Sequence, residues 1–306
     1  MATSGTNSIA RPRASRTKAL RRLRHHATTI ALLLPGLGLI LGFISVVLYF
    51  AIIQSFGQLG FQGDDRWTLE SWRHLLEDES FFRSARYSMR VAVVSALAAT
   101  ALAYPFALWL KKPFAGSKLV SAFLKIPLLI PGLVAAFMFI NFISFNGFFN
   151  LALQRLGIVD APIRLLNDRR AIGVHILQIW KQMPFAFLLL SSAVREIDSD
   201  VLSAGRDVGA GAWQRFRHLV LPMTLPSLQA AMIIIFIGAA GDFSFQVVAG
   251  PSAPFSLAQL MDSSGNLGRD RNYAAVVGLM LMILSVVGSI LLTAITKFVV
   301  NRRRFL

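Results

Sequence analysis

The sequence has no cysteine, few charges and no Gly-Lys dipeptide, and each absence narrows the field. Without a thiol there can be no disulfide, thiolate metal site or cysteine nucleophile, so neither a stapled secreted domain nor a thiol redox enzyme fits. Without Gly-Lys there is no phosphate-cradling Walker A loop, and ATP hydrolysis is not expected of this chain. No carboxylate pair or histidine cluster has catalytic or metal-ligand spacing, so the expected catalytic and metal residues are none. Only 15% of the residues are charged, while 55% are hydrophobic and the mean hydropathy is +0.60. A chain of 306 residues with that balance has more apolar surface than one soluble core would use, and reads as a membrane protein.

A spanning helix needs roughly 20 mostly apolar residues. Six segments meet that length, at about 28–56, 88–110, 119–143, 171–194, 222–248 and 272–299. The expected fold is therefore an all-α membrane protein of six transmembrane helices. A basic tail at 1–27 precedes the first helix and another at 301–306 follows the last. The first apolar run is about twice the length of a signal-peptide core and lacks a clear cleavage site, so it is expected to be a retained span. Tyr49, Tyr87, Trp109 and Tyr273 lie near predicted helix ends, where amphipathic rings favour the headgroup layer. Pro127, Pro131 and Pro184 are expected to kink their spans.

Basic residues set the orientation. The two tails and the loops after the second and fourth spans hold 18 of the 31 Lys and Arg, and the alternate loops hold 11. The first set is the cytoplasmic one, which puts both termini in the cytoplasm of a plasma (inner) membrane protein. The formal charge of +16 is then mostly a topology signal. The tail "RPRASRTKALRRLRHH" is too short for a nucleic-acid-binding domain and suits contact with anionic membrane lipids. The acidic residues Asp64, Asp65, Glu70, Glu77, Asp78 and Glu79 fall on the opposite side, where a solvated loop is the simplest account.

The cytoplasmic segment 195–222 is organised. Val201, Leu202, Gly205 and Val208 recur at helical spacing, with Ser199 able to cap the first turn. After Gly209 and Gly211, a second apolar stripe of Trp213, Phe216 and Val220 is flanked by Arg215, Arg217 and His218. The pattern predicts a short helix, a sharp glycine turn and another short helix.

Here "SAGRDVGAGAWQRFRHLVLP" resembles the EAA loop of binding-protein-dependent ABC importer permeases. That pattern is Glu-Ala-Ala, three residues, Gly, nine residues, a branched apolar residue, any residue, then Leu-Pro. Ala204, Gly209, Leu219, Leu221 and Pro222 match it; Ser203 stands in place of the Glu and Gly205 in place of the second Ala. The flanking "LLNDRRAIGVHILQIWKQMPFAFLLL" and "PSLQAAMIIIFIGAAGDFSFQVVAGP" fit the same class, so the resemblance covers roughly residues 29–300. It implies the type I importer bundle, in which this loop is the coupling element docked on a cytoplasmic ATPase. Ser203, Ala204, Gly205, Arg206, Asp207, Gly209, Ala210, Trp213, Phe216, Leu219, Leu221 and Pro222 would form that element. Trp213 and Phe216 would be its anchors, with Arg206, Arg215 and Arg217 as the polar rim. Arg206 or Asp207 would substitute for the missing carboxylate contact. The implied partners are two ATPase subunits, a second permease subunit (another chain or another copy) and an extracytoplasmic solute-binding protein. The chain itself would hold no cofactor, since ATP and Mg belong to the ATPase.

Polar residues within the spans point to the path. A charge at mid-bilayer costs about 2.5–3.5 kcal/mol on insertion scales, so Lys181 and Asp242 need partners, water or a function. His175, Gln178 and Gln182, with Lys181 beside them, form one polar stripe; Asp242 and Gln246 form another after Gly238 to Gly241. Either both stripes line the translocation path, or Lys181 and Asp242 pair and hold two helices in register, or both.

The substrate is read from resemblance alone. "GRDVGAG" with "GDFSFQVVAG" looks like polyamine-type permeases, which share this region with importers of iron, sulfate and phosphonates. "LLNDRRAIGVHILQIWKQMPF" looks closer to carbohydrate-type permeases. The expectation leans to spermidine and putrescine, with a sugar permease as the alternative and a channel or membrane enzyme without an ATPase as the outsider.

Overall fold

The structure, a computed structural model, describes residues 14–57, 67–168, 170–266 and 270–302, with side chains described from residue 32 to residue 300 of these. Asp64, Asp65 and the outer parts of both basic tails lie outside the described residues. Every regular element among the described residues is a helix. The chain divides into two compact units, residues 1–53 and 54–306.

The first unit is carried by α1 (Ala14–Ser55). The helix already runs from Ala14, so residues 14–27, expected as a tail, continue it. Its portion from Leu32 onward is apolar over the length of a span.

The second unit is a bundle built on α3 (Glu79–Trp109), α8 (Ile172–Glu196), α12 (Leu225–Ala240) and α15 (Arg271–Arg302). A short helix, α2 (Glu70–Glu77), precedes α3. Small residues let the long helices approach. Ala92, Ala96, Ala99, Ala103 and Ala107 form a buried stripe on α3, against Phe187 and Leu190 of α8 and Ala231, Ile235 and Ala239 of α12. In a membrane such packing, not the hydrophobic effect, brings helices together. At the α12–α15 contact a methyl on Gly288 would sit 2.5 Å from the buried Phe236 ring, so a larger residue there would force that ring to shift.

Two expected spans are not single rods. The third, expected over 119–143, is assembled from α4 (Ser117–Phe123), α5 (Ile126–Leu129) and α6 (Gly132–Ile143), and α7 (Phe148–Arg155) follows. Pro131 causes the break between α5 and α6: it has no N–H to give to the carbonyl of Pro127 four residues back, and Ile130 is extended. The fifth, expected over 222–248, stops at Ala240 and restarts as α13 (Ser244–Ala249), leaving Asp242 in the break. Between α13 and α15 lies α14 (Leu257–Asn266).

Among the described residues four helical stretches are long and apolar enough to cross a membrane: Leu32–Ser55, Glu79–Trp109, Gly132–Arg155 and Arg271–Val300. A fifth is added if Ala212–Met223 and Leu225–Ala240, bent by 71°, count as one span. The 25-residue α8 has the length, but His175, Gln178, Lys181 and Gln182 lower its hydropathy. All six expected segments thus fall on helices, four of them close to the expected simple form.

Two of the four aromatic residues expected near the interfaces are buried. Tyr49 and Trp109 are exposed, at 60% and 55%, whereas Tyr87 and Tyr273 are buried. Their hydroxyls have protein partners instead of headgroups, Gln246 for Tyr87 and Asp78 for Tyr273.

Candidate functional site

The loop between α8 and α12 folds as a helix, a glycine turn and a second helix. Helix α9 (Ser199–Asp207) is capped by Asp198, whose carboxylate accepts from the Asp200 amide at 3.0 Å; Ser199, expected as the cap, is instead the first helical residue. The helix ends in a Schellman turn. Ala210 N–H donates to Gly205 O at 3.0 Å and Gly209 N–H to Arg206 O at 2.8 Å, with Gly209 at φ +78°. The chain then re-enters helix as α10 (Ala212–Arg215), where Gln214 Oε1 accepts from the Gly211 amide at 2.8 Å. A π-turn over Phe216–Val220 and the short α11 (Leu221–Met223) lead to α12.

The loop is braced from within. Arg215 donates to the Ala210 carbonyl at 2.6 Å, and a methyl on Gly205 would lie 2.9 Å from Leu219 Cδ1 and 3.2 Å from Arg215 Cδ. The two short helices therefore meet at Gly205, which accounts for glycine at a position where the family pattern has alanine. Ser203, Ala204, Arg206, Asp207, Gly209 and Gln214 are exposed, and Ala210, Arg215, Arg217 and Leu219 are half-buried.

The apolar display differs from expectation. Trp213 is 68% exposed, as an anchor should be, and Val208, not expected in that role, is 83% exposed. Phe216 is turned inward instead. It stacks on Trp213 (5.4 Å, 27°) and sets its edge against Tyr104 of α3 (5.2 Å, 87°). Leu221 also packs toward the bundle core.

Lys111, just past α3, donates to the Ile197 carbonyl at 2.9 Å where α8 ends. Burial lowers its pKa, and the charge of Lys112 adds to that against the opposing pull of Asp198.

The second locus is polar and lies among the spans, where two broken helices flank α8. In the α12–α13 break, Asp242 Oδ2 accepts from the Phe245 amide at 3.0 Å. Buried Gln246 on α13 receives the Tyr87 hydroxyl of α3 at 2.7 Å. From α8, fully buried Gln178 comes close enough to Asp242 to interact with its charge, yet neither atom of its amide has a hydrogen-bond partner at normal geometry. His175 Nδ1 is likewise buried without a partner, and Gln182 packs over Gly238, where a methyl would come within 3.1 Å of its amide nitrogen.

Lys181 turns away from this cluster. Its ammonium donates to the carbonyls of Pro127, at 2.6 Å, and Ile130. Of the two alternatives left open for these residues, the Lys181–Asp242 pair is not formed. The ammonium supplies the donor that Pro131 lacks, and so repairs the break that proline makes. Gly132, just beyond, lies against the Phe245 ring, where an added methyl would be 3.8 Å from it. Tyr87, Tyr104, Thr224 and Lys111 were not expected at either locus.

The family described as "binding-protein-dependent transport system inner membrane component" matches residues 97–305. The spermidine/putrescine transport system permease protein PotB of Escherichia coli (strain K12) is 31% identical over 177 residues, which is 58% of this chain and 63% of PotB. The match to this relative therefore spans less than two thirds of its length. The probable ABC transporter permease protein y4oQ of Sinorhizobium fredii (strain NBRC 101917 / NGR234) is 29% identical over 218 residues, 71% of this chain and 69% of that protein. Among solved structures, a chain of a bacterial ABC transporter involved in the import of the acidic polysaccharide alginate superposes with a TM-score of 0.72. It is 16% identical and the match covers 92% of this chain and 98% of that one, a likeness of fold.

Proposed function

Because the chain belongs to the family of binding-protein-dependent transport system inner membrane components, we propose that it is the permease subunit of an ATP-driven importer of a small cationic amine of the spermidine and putrescine type. The observation that carries the importer reading is the braced loop 195–222. Its turn at Gly209 presents Val208 and Trp213 outward, with Arg206 and Asp207 beside them. An exposed aromatic ringed by polar groups is what a docking partner's groove would take.

In this reading two ATPase subunits bind ATP and Mg and dock on one such loop each. A second permease subunit completes the path, and a solute-binding protein delivers cargo from outside. The chain itself has no catalytic role and needs no cofactor. Both termini lie in the cytoplasm and membrane lipids surround the spans; no nucleic acid takes part.

The path is lined by His175, Gln178, Gln182, Asp242 and Gln246, with Lys181 as the residue that positions the broken third span beside them. The amine class is supported by the likeness to PotB and by the chemistry of the cluster. Asp242 offers a negative charge, and Gln178 and Gln246 offer acceptors, in a region of few charges. Because Lys181 is held by two carbonyls, its charge is not directed at Asp242, and the objection that a pore lysine repels a polycation loses force.

The test is competition in membrane vesicles. ATP-dependent uptake of labelled spermidine through the complex should fall with excess putrescine and be unaffected by sugars. Uptake of a labelled sugar, with none of spermidine, would replace the amine reading by the carbohydrate one.

A further inference from the structure

Helix α3 and the residues just past its end hold both ends of the loop. At the start, Lys111 donates to the Ile197 carbonyl. At the end, the Tyr104 hydroxyl bonds Thr224 Oγ1, and Thr224 in turn donates to the Val220 carbonyl at 2.8 Å. Thr224 has one proton and spends it on Val220, so Tyr104 is the donor of the pair. Both side chains are buried. Between these two fixed points, the Trp213–Phe216 stack ends edge-on against the Tyr104 ring.

Thr224 stands at the corner where the chain bends by 71°. The Thr224 backbone is itself paired, its N–H with the Val220 carbonyl at 3.0 Å and its carbonyl with the Leu228 N–H at 2.9 Å, but two bonds of a continuous helix are missing around it. Pro222 and Pro226 on either side of it have no N–H, and the segment before it is a π-turn instead of a regular helix. A weak corner is a poor lever. Displacement of the loop would be absorbed in the bend before it reached α12, unless the corner were fixed to something rigid. The 31-residue α3 runs unbroken through Pro105, held on both sides of it by Ala103 and Ala107 in the alanine stripe that packs on α8 and α12, and so offers such a support.

We propose that Tyr104 is the pin of the coupling mechanism: its hydroxyl fixes the Thr224 corner to α3, so that a displacement of the loop moves α3 and α12 together. This rests on the proposed docking of the loop to an ATPase. Tyr104 is a positioning residue, touching neither cargo nor nucleotide.

The absence of cysteine gives a clean test. Single cysteines at Lys112, past the end of α3, and at exposed Ile295 on α15 take spin labels with no background from this chain. The inter-label distance is then measured in the full complex with and without ATP. The wild-type sequence should show an ATP-dependent change in distance, and Tyr104→Phe, which keeps the ring, should lose it while the ATPase stays bound and active. Thr224→Val should match Tyr104→Phe, and Thr224→Ser, which keeps a hydroxyl, should restore the change. The double variant Tyr104→Phe, Thr224→Val should be no worse than either single one, since both remove the same interaction.

A full distance change in Tyr104→Phe or Thr224→Val with the ATPase bound would overturn the pin and leave the docking reading standing. ATPase association that is unaffected by Trp213→Ala would overturn the docking reading itself. The serine and valine pair at Thr224 decides the matter if Tyr104→Phe fails to fold.

Discussion

The ammonium of Lys181 donates to the carbonyl of Pro127 at 2.6 Å, across the gap between α8 and the broken third span. A charge on an intramembrane helix is thus engaged by two backbone carbonyls at the Pro131 break, and not by the carboxylate on the neighbouring span. Removing it leaves those carbonyls unpaired, at roughly 1–3 kcal/mol for a buried polar group. Lys181→Met should lower stability in detergent by about that amount. Its effect should add to that of Asp242→Asn to within about 0.5 kcal/mol, as for sites that do not interact. Strong coupling between the two in an unfolding cycle would show that they pair after all.

Asp242→Asn keeps the shape and the acceptor to the Phe245 amide but removes the charge. If the cargo is a cationic amine, uptake should fall by roughly tenfold or more, equivalent to about 1.4 kcal/mol of lost interaction. Labelled spermidine uptake in vesicles checks this; wild-type rates in the variant would take Asp242 off the path.

Gly209 sits at φ +78°. Gly209→Val places a β-branched residue in the left-handed region, at a cost of about 1–2 kcal/mol, and should disorder the turn and weaken ATPase binding. Gly209→Asn should be milder. Gly205→Ala restores the residue of the family pattern, and its methyl meets the flexible ends of Leu219 and Arg215. It should retain most binding, and complete loss on that change would contradict the packing described for the loop.

Outside the spans, Asp78 caps α3 by accepting from the Ser80 amide at 2.7 Å and also receives the Tyr273 hydroxyl. Burial works to raise its pKa, but the Tyr273, Ser80 and His74 contacts outweigh that and hold it below the usual value. A folded-state pKa below the unfolded one gives stability that is present above about pH 4 and is lost as pH falls through the lowered folded value. Asp78→Ala should therefore cost about 1 kcal/mol at neutral pH, as for loss of an N-cap. The difference from wild type should shrink on strong acidification. A difference that does not change between pH 7 and pH 2 would refute the cap's charged role.

What was legible in the sequence follows from how local each signal is. The loop was readable because Gly209 at a left-handed position and the Leu221-Pro222 step are local constraints, and they imply the same turn in any fold. Its inner bracing was not, because Gly205 meets Leu219 only after the turn has closed. The third-span break had a signal, Pro127 followed by Pro131 one helical turn on, which expectation reduced to a kink. The break at Asp242 had none of that strength: "GAAGDFSF" remains apolar enough to read as one helix. Tyr87 and Tyr104 are one turn or more from any motif, and tertiary contact alone assigns them their partners. Val208 shares its helical spacing with Val201 and Leu202, and that spacing carries no sign that the residue at the Schellman turn is exposed.

The most direct test of the central claim is the association of an ATPase subunit with the full chain in detergent, wild type against Trp213→Ala. Trp213 is exposed, so its replacement should leave the fold intact while removing the anchor. The expected result is a loss of roughly 2 kcal/mol or more in binding, as for the centre of a docking interface. Equal binding by the two chains would contradict the claim that this loop couples the permease to ATP.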